Sequence, residues 1–236
     1  MNENKNILIR ETPFLPIFGK GTNYGLTGPS GTANYFSTPD SAALGVYRVS
    51  FTMTFCLAAV DWTRAVPQFI FSQGVIGTNS VMNMALLADG TLDFQASLNG
   101  SVDSVFATSS AVGFTNGTKG YIQVTRTSAG VDQLKILKSD NGVDWTDITA
   151  SVTSAGSNLY NTNQPFVLGG YVGDSSNSFE GKIFSLVAGP GYEGPSSTTL
   201  NFAPKQYKSG TTFVTTPAGE TWTIGNGARI LRQAGS

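Results

Sequence analysis

The chain contains no histidine and only one cysteine, Cys56, among its 236 residues. Without histidine there is no Ser-His-Asp or Cys-His nucleophile system, no imidazole metal ligand and no histidine-based pH switch. A single cysteine also excludes an intramolecular disulfide and a cysteine-based zinc site. Because Cys56 lies in the apolar run 51–60, we expect a small buried side chain rather than a reactive thiol.

Charge is scarce as well. Charged residues make up 12% of the chain, about half the usual share, and the net charge is −1. This composition offers no electrostatic basis for binding nucleic acid or an anionic membrane surface. No apolar run reaches the roughly 18 residues of a membrane-spanning helix, so we expect no membrane insertion. Residues 1–10 lack the apolar core of a secretory signal peptide, which favours synthesis in a cytoplasm.

The chain does have many short alternating strands separated by glycine-rich turns. Asn141-Gly142 in K-I-L-K-S-D-N-G-V-D-W-T predicts a two-residue hairpin, and Asp89-Gly90 predicts another. Strands are predicted at 33–37, 46–58, 68–73, 80–87, 91–97, 103–108, 119–126, 132–138, 145–149, 165–169, 178–187, 199–202, 211–215 and 220–224. No segment shows the 3.6-residue period of a capped helix. The sequence therefore predicts an all-β, two-sheet antiparallel jelly-roll sandwich.

The predicted organisation is an extended N-terminal arm over residues 1–32, followed by one jelly roll over residues 33–236. Pro13, Pro16 and a glycine-rich stretch interrupt regular structure in the arm. The arm is nonetheless apolar and needs a surface, which is either its own domain or a neighbouring subunit. The candidate subunit-docking residues are Ile7, Leu8, Phe14, Leu15, Ile17 and Phe18.

A series of motifs carries a resemblance to a known family. In chain order they are 34–44 (N-Y-F-S-T-P-D-S-A-A-L), 61–62, 87–92, 121–126, 139–146, 165–170, 179–184, 201–204 and 219–224. Their order resembles the laminin-G and concanavalin A-like lectin/glucanase jelly rolls, in the version common in bacteriophage virion and tail proteins. The match covers about residues 33–232. Within the motif 179–184, Gly181 is predicted to let neighbouring backbones approach closely.

The resemblance implies Ca²⁺ as an optional cofactor, held by rim Asp side chains and loop carbonyls. No cofactor is required. Asp61, Asp103 and Asp174, together with Asp132, are the calcium candidates, although solvated turn residues are the better interpretation of them. The glucanase members carry an E-x-D-x-E strand that is absent here, and catalysis of glycoside hydrolysis needs two facing carboxylates. We therefore predict no enzymatic activity.

Sugar binding without catalysis uses exposed aromatic rings beside polar loop groups. The candidate carbohydrate-binding residues are Trp62, Tyr160, Tyr171 and Tyr192, each next to a loop rich in Asn, Gly or Ser. Trp145 and Trp222 fall within the strand pattern and are predicted to lie in the core.

Two functions remain open at this point. The first is a non-enzymatic virion structural protein, a decoration, tail or fibre-associated subunit that assembles with other virion proteins and with itself as a homo-oligomer. The second is a carbohydrate-binding receptor-recognition module that contacts host-surface glycans. A glycoside hydrolase is a third and weaker alternative. The low-charge composition and the absence of a signal peptide favour localisation in a virion released by lysis.

Overall fold

The computed structural model describes residues 23–27, 34–41, 49–75, 79–101, 103–127, 133–153, 157–171, 177–191, 199–204, 212–214, 220–225 and 228–232. These residues contain strands and no helix. The strands are β1 (Asn23–Thr27), β2 (Phe36–Thr38), β3 (Ser50–Ala59), β4 (Gln68–Gln73), β5 (Met82–Leu86), β6 (Leu92–Ser97), β7 (Asp103–Ser109), β8 (Gly120–Thr127), β9 (Gln133–Ser139), β10 (Thr146–Asp147), β11 (Thr149–Thr153), β12 (Phe166–Leu168), β13 (Gly181–Pro190), β14 (Leu200–Phe202), β15 (Thr212–Val214), β16 (Thr221–Ile224) and β17 (Arg229–Arg232).

The strands form two antiparallel sheets. Sheet A has the order β10-β9-β8-β3-β13-β1-β17, with β14 also paired to β13, and sheet B has the order β11-β7-β6-β5-β4-β12-β2-β16-β15. The predicted antiparallel two-sheet sandwich is confirmed. Neighbours in the sheets are often distant in sequence, as in the pairing of β13 with β3 and of β12 with β4.

The core lies between the sheets and follows the period-two alternation of each strand. In β3, Phe51, Met53 and Phe55 point inward and are completely buried. Phe71 of β4 stacks between Phe55 and Phe166, with ring centroids 5.2 and 5.4 Å away. Aromatic rings from both sheets therefore meet in the middle of the sandwich, where each such contact adds about 0.5–1.5 kcal/mol beyond area burial.

Gly181 is the first residue of β13, which pairs with β3 in the middle of sheet A. It pairs with Ala59, and a Cβ built on Gly181 would lie 2.4 Å from the carbonyl oxygen of Ala58. Only a residue without a side chain fits at that distance. The predicted role of Gly181 in close backbone approach is confirmed.

Three expectations about local structure are corrected. Strand β1 lies inside the range assigned to the arm (1–32), and it pairs with both β13 and β17, so residues 23–27 belong to the sandwich. Strand β17 was not predicted.

The Asn141-Gly142 hairpin is present, but the strands resume only at Thr146, opposite Lys138, so its loop is longer than two residues. Asn141 Oδ1 holds this loop by accepting from the amides of Val143 (2.8 Å) and Asp144 (2.9 Å).

Cys56 lies on the outer side of sheet A, in a small cluster with Ala58 and Phe184 that Tyr24 and Tyr121 flank. The thiol is buried, and this burial raises its pKa to about 12. The expected inert, apolar role of the cysteine agrees with this environment.

Across the described part of the chain, no helix has the length and apolarity needed to cross a membrane.

The substitution Gly181→Ala is expected to lower the free energy of unfolding by at least about 1–3 kcal/mol, because its methyl group collides with backbone atoms that cannot move aside. Gly117→Ala is the matched control: Gly117 has a φ of 73° and no atom within 4 Å of a built Cβ. It should cost only the left-handed strain, about 1–2 kcal/mol. Urea denaturation followed by tryptophan fluorescence measures both. A Gly181→Ala variant as stable as the wild type would contradict the close approach.

The Cys56 thiol is expected to resist Ellman's reagent at pH 8 in the native protein. A rise in pKa from 9.0 to about 12 lowers the thiolate fraction by roughly 10³-fold, and burial removes access as well. The same protein in guanidinium chloride should release one equivalent of chromophore. Rapid labelling of the native protein would show that the small cluster around Cys56 opens readily.

Candidate functional site

Three polar side chains meet on the face of sheet B that points away from the core. Met82, Met84 and Leu86 of β5 face the core, as do Leu92, Phe94 and Ala96 of β6. Alternation therefore turns Asn83, Asp93 and Gln95 to the opposite, outer face. Asn83 pairs directly with Gln95, and Asp93 lies two residues earlier on the same strand. We call these three residues the polar triad.

The hydrogen bonding of the triad is incomplete. Gln95 donates from Nε2 to Asp93 Oδ2 at 2.6 Å. Asn83 is only 2% exposed, and its Nδ2 group has no hydrogen-bond partner among the described residues. Leaving a buried amide unpaired costs about 1–3 kcal/mol. The Nδ2 atom is also closed off from solvent, so the unpaired amide is a local cost to the fold and not a contact that is open to a ligand.

Aromatic rings flank the triad on both sides. Phe106 of β7 pairs with Gln95, and it is half-buried. On the other side, Phe69 of β4 pairs with Ala85, which in turn pairs with Asp93. The ring of Phe69 packs against Tyr171 with centroids 4.7 Å apart. The triad therefore lies between two apolar walls.

The Asp93 carboxyl is half-buried, and this burial raises its pKa above the ordinary value of 3.8, while the hydrogen bond from Gln95 acts in the opposite direction. A carboxylate that is partly removed from water remains a strong acceptor for a hydroxyl donor, because charge-assisted hydrogen bonds are stronger than neutral ones. Together, the triad can accept at Asp93 and donate from the second amide hydrogen of Gln95.

The predicted carbohydrate-binding aromatics have different outcomes. Trp62 is 1% exposed and packs on Phe114 at 5.0 Å, so its expected exposure is wrong. The backbone amide of Trp62 donates to Asn116 Oδ1, which draws the loop over the ring. Tyr160 is half-buried, and its ring covers Gly100 so closely that a Cβ there would lie 2.6 Å away. Tyr192 lies outside the described residues.

Among the predicted aromatics, Tyr171 lies against Phe69, one of the two apolar walls of the triad. It is 7% exposed, so it serves as a wall packed on Phe69 rather than as the open platform that we expected. The predictions for the other two tryptophans have different outcomes. Trp222 is a core residue, as predicted, and its Nε1 donates to the carbonyl oxygen of Asn201 at 2.7 Å. Trp145 is half-buried at the end of its hairpin loop, so the prediction of a core position is wrong for it.

Only two of the four calcium candidates, Asp61 and Asp103, lie among the described residues. The Asp61 carboxylate is exposed and accepts from the backbone and hydroxyl of Thr63 and from Asn116 Nδ2, and these hydrogen bonds hold its pKa below the usual value. Asp103 begins β7, while Asp132 and Asp174 lie outside the described residues. Within the described ranges, no three acidic or thiol side chains are close enough to hold a metal ion. Calcium binding stays a prediction.

The docking residues Ile7, Leu8, Phe14, Leu15, Ile17 and Phe18 all lie outside the described residues. Docking of the arm onto a neighbouring subunit, self-association and the virion location therefore stay predictions.

The polar triad was missed at the level of the sequence. Asn83 lies in M-N-M-A-L, a run that looks like a uniformly apolar strand, and all five of its residues are indeed buried. The available signal was the alternation in L-D-F-Q-A, where Asp93 and Gln95 occupy the outward positions of β6. Joining that strand to β5 through the Asp89-Gly90 hairpin brings Asn83 opposite Gln95.

Comparisons with known proteins add the fold context. No protein-family model matches the chain, and no curated protein matches it either. Among solved structures, a putative carbohydrate binding protein from Bacteroides ovatus is 14% identical, with a TM-score of 0.63; the match covers 90% of this chain and 60% of that one. This chain thus spans less than two thirds of the Bacteroides protein.

Two further similarities are weaker. Domains LG4-5 of the mouse laminin α1 chain are 14% identical with a TM-score of 0.47, covering 71% of this chain and 41% of that one. The CBM40 of a Ruminococcus gnavus IT-sialidase, solved with α2,3-sialyllactose, is 13% identical with a TM-score of 0.46, covering 66% and 86%. At these identities a similarity shows fold alone. The TM-score of 0.63 supports the all-β, two-sheet antiparallel sandwich of a jelly roll for this chain.

Proposed function

We propose that this chain is a non-enzymatic carbohydrate-binding jelly roll whose ligand lies on the outer face of sheet B. The observation that carries the proposal is the half-buried Asp93–Gln95 pair, which lies between the rings of Phe69 and Phe106. A sugar hydroxyl both donates and accepts, so one hydroxyl can donate to the Asp93 carboxylate while another accepts from the second amide hydrogen of Gln95.

The surroundings of the triad suit a sugar ring. Binding sites are lined mainly by apolar and aromatic side chains with a few convergent polar groups that set orientation. Here Phe69 and Phe106 stand on either side of the triad, and Tyr171 supports Phe69. The C–H face of a sugar packs on such walls while its hydroxyls reach the triad.

Two facts favour binding over hydrolysis. A glycosidase needs two carboxyl groups about 5–9.5 Å apart, one on each side of the scissile bond. The neighbour of Asp93 on its strand face is Gln95, an amide, and it already donates to Asp93. The fold shared with a putative carbohydrate binding protein supports the same conclusion at the level of architecture. Carbohydrate binding by this chain is compatible with a role in a virion that recognises a host-surface glycan. That virion role is a separate prediction.

Binding is expected to weaken about tenfold, or ~1.4 kcal/mol, in each of Asp93→Ala and Gln95→Ala, because the first loses the acceptor for the ligand and the second loses the amide donor beside it. An array of bacterial-surface glycans, read with the labelled full chain, identifies ligands, and titration calorimetry then compares the variants. Gln133→Ala is the matched control: it removes an exposed glutamine from β9 of the opposite sheet. Unchanged binding in both triad variants would overturn the assignment of the site.

Asp93→Asn is expected to raise thermal stability slightly at pH 7 while it weakens glycan binding. The pKa of Asp93 is raised in the folded state, so its ionised form destabilises the fold above that pKa. This cost disappears as pH falls below the ordinary value of 3.8, where both states are protonated. Asparagine removes the charge and keeps an oxygen for Gln95.

Scanning calorimetry at pH 7 and below pH 3.8 measures the effect. The wild type and the variant should differ at pH 7 and converge at the acidic pH. A variant that is less stable at pH 7 would mean that Asp93 supports the fold rather than a ligand.

A further inference from the structure

A depression of about 400 Å³ opens on the outer face of sheet B, at the end where β2 pairs with β16. Ser37 of β2 and Thr223 of β16 are direct partners, and their neighbours Phe36 and Trp222 point into the core. Alternation therefore turns the two hydroxyl side chains outward, into the depression. Its lining consists of Ser37, Pro39, Asp40, Asn163, Pro165 and Thr223.

The depression is separate from the polar triad. Along the row of cross-strand partners, Ser37 is followed by Val167, and Val167 is followed by Ser72. Val167 and Ser72 are 1% and 0% exposed, so this part of the outer face is covered within the protein. A small ligand in the depression therefore has no open path to Asp93 or Gln95.

A buried glutamine ties the two rims of the depression together. Gln73 is 3% exposed, and its Nε2 group donates to Asp40 Oδ1 at 3.4 Å and to the carbonyl oxygen of Gln164 at 3.5 Å. Asp40 follows β2 and Gln164 precedes β12, so one side chain holds both segments. Pro39 and Pro165 lie beside them, and their rings fix the backbone φ angle. The depression is therefore preformed, as small-molecule sites usually are.

Asp40 brings an uncompensated negative charge to the depression. Its carboxyl group is half-buried, and burial raises its pKa above the ordinary value of 3.8, while the hydrogen bond from the backbone amide of Ser41 acts in the opposite direction. Asp40 has no ion-pair partner among the described residues, and none of those that line the depression is cationic. A partly desolvated carboxylate without a counter-ion favours a cationic ligand over an anionic one.

The groups around Asp40 also indicate what carries the positive charge. An ionised carboxylate only accepts hydrogen bonds, whereas an ammonium group only donates them, and hydrogen bonds between two such groups are roughly twice as strong as neutral ones. The Ser37 and Thr223 hydroxyls and the Asn163 amide both donate and accept, so they suit the hydroxyl groups of a sugar ring. A volume of about 400 Å³ lies near the lower end of the range for ligand sites, about 300–1,000 Å³, which suits a small ligand.

We infer that the Asp40 depression is a second ligand site, one that binds the protonated free amine of an amino sugar. The ammonium group lies against the Asp40 carboxylate, and the ring hydroxyls contact Ser37, Asn163 and Thr223. The depression and the polar triad share no residue, so this site goes beyond the proposed function and binds whether or not the triad is occupied. Uronates and sialates are repelled by the same carboxylate.

The test compares sugars that differ in the charge of one group. Titration calorimetry uses the full chain at pH 6 with the disaccharide of glucosamine, whose amines are protonated there. The disaccharide of N-acetylglucosamine and cellobiose keep the linkage and carry no charge, and Nα-acetyl-lysine amide supplies an amine without a sugar. Asp40→Asn removes the charge and keeps the shape of the side chain. Asp140→Asn is the matched control, because it removes the same charge from an exposed aspartate that does not line the depression.

The glucosamine disaccharide is expected to bind about tenfold more tightly than either uncharged disaccharide. Asp40→Asn should remove this tenfold preference, and Asp140→Asn should retain it. Thermal denaturation confirms that each variant is folded. Equal affinity for the three disaccharides, no binding of the glucosamine disaccharide, or a preference that survives Asp40→Asn would overturn the site. Equally tight binding of Nα-acetyl-lysine amide would overturn the sugar class and indicate recognition of a lysine side chain.

Discussion

The register of antiparallel pairing is the constraint on which the whole molecule depends. Side chains alternate between the two faces of each strand, so a slip of one residue would move every core residue of a strand into solvent. In sheet A, the long pairing of β13 with β3 sets this register, and Gly181 makes it possible by leaving room for the backbone of Ala58. In sheet B, the pairing of β5 with β6 places Leu86 opposite Leu92 in the core and, by the same register, Asn83 opposite Gln95 on the outer face. The core and the candidate site are two consequences of one hydrogen-bonding pattern.

The sequence was sufficient for the elements whose pattern is local. The alternation Phe179-x-Gly181-x-Ile183 predicted both the inward residues and the close approach, since each property is decided by the strand and its immediate partner. Strands β1 and β17 were missed for the opposite reason. They pair with each other although about 200 residues separate them, as in Tyr24 with Leu231. A short strand such as N-Y-G-L-T carries no clear alternation of its own and is stable only because its partners supply the missing hydrogen bonds.

Exposure of aromatic residues was the least predictable property. Trp62 follows a strand in a polar loop and looked available for a ligand, yet the loop folds back and packs the indole on Phe114. Trp145 follows a strand-like pattern and yet is half-buried, because the chain around it is a wide hairpin loop and a two-residue strand. Whether a large ring is covered depends on where a neighbouring loop returns, which is a tertiary property. The polar triad could not be predicted from the sequence for the same reason. Its three residues are not close in sequence, and they come together only when β5 pairs with β6.

Two unfavourable features lie side by side on the outer face of sheet B. The unpaired amide of Asn83 and the half-buried charge of Asp93 each reduce stability, and each would be relieved by a simple substitution. Several turns satisfy their backbone groups with side chains, as Ser139 does for Gly142 and Ser97 for Gly100. Unpaired buried polar atoms also occur elsewhere in the described chain, as at Trp62 Nε1, so the amide of Asn83 does not mark a site by itself. The Asp93 carboxyl differs because it is only half-buried. A hydroxyl-rich ligand that donates to it converts a local cost to the free protein into affinity for the complex.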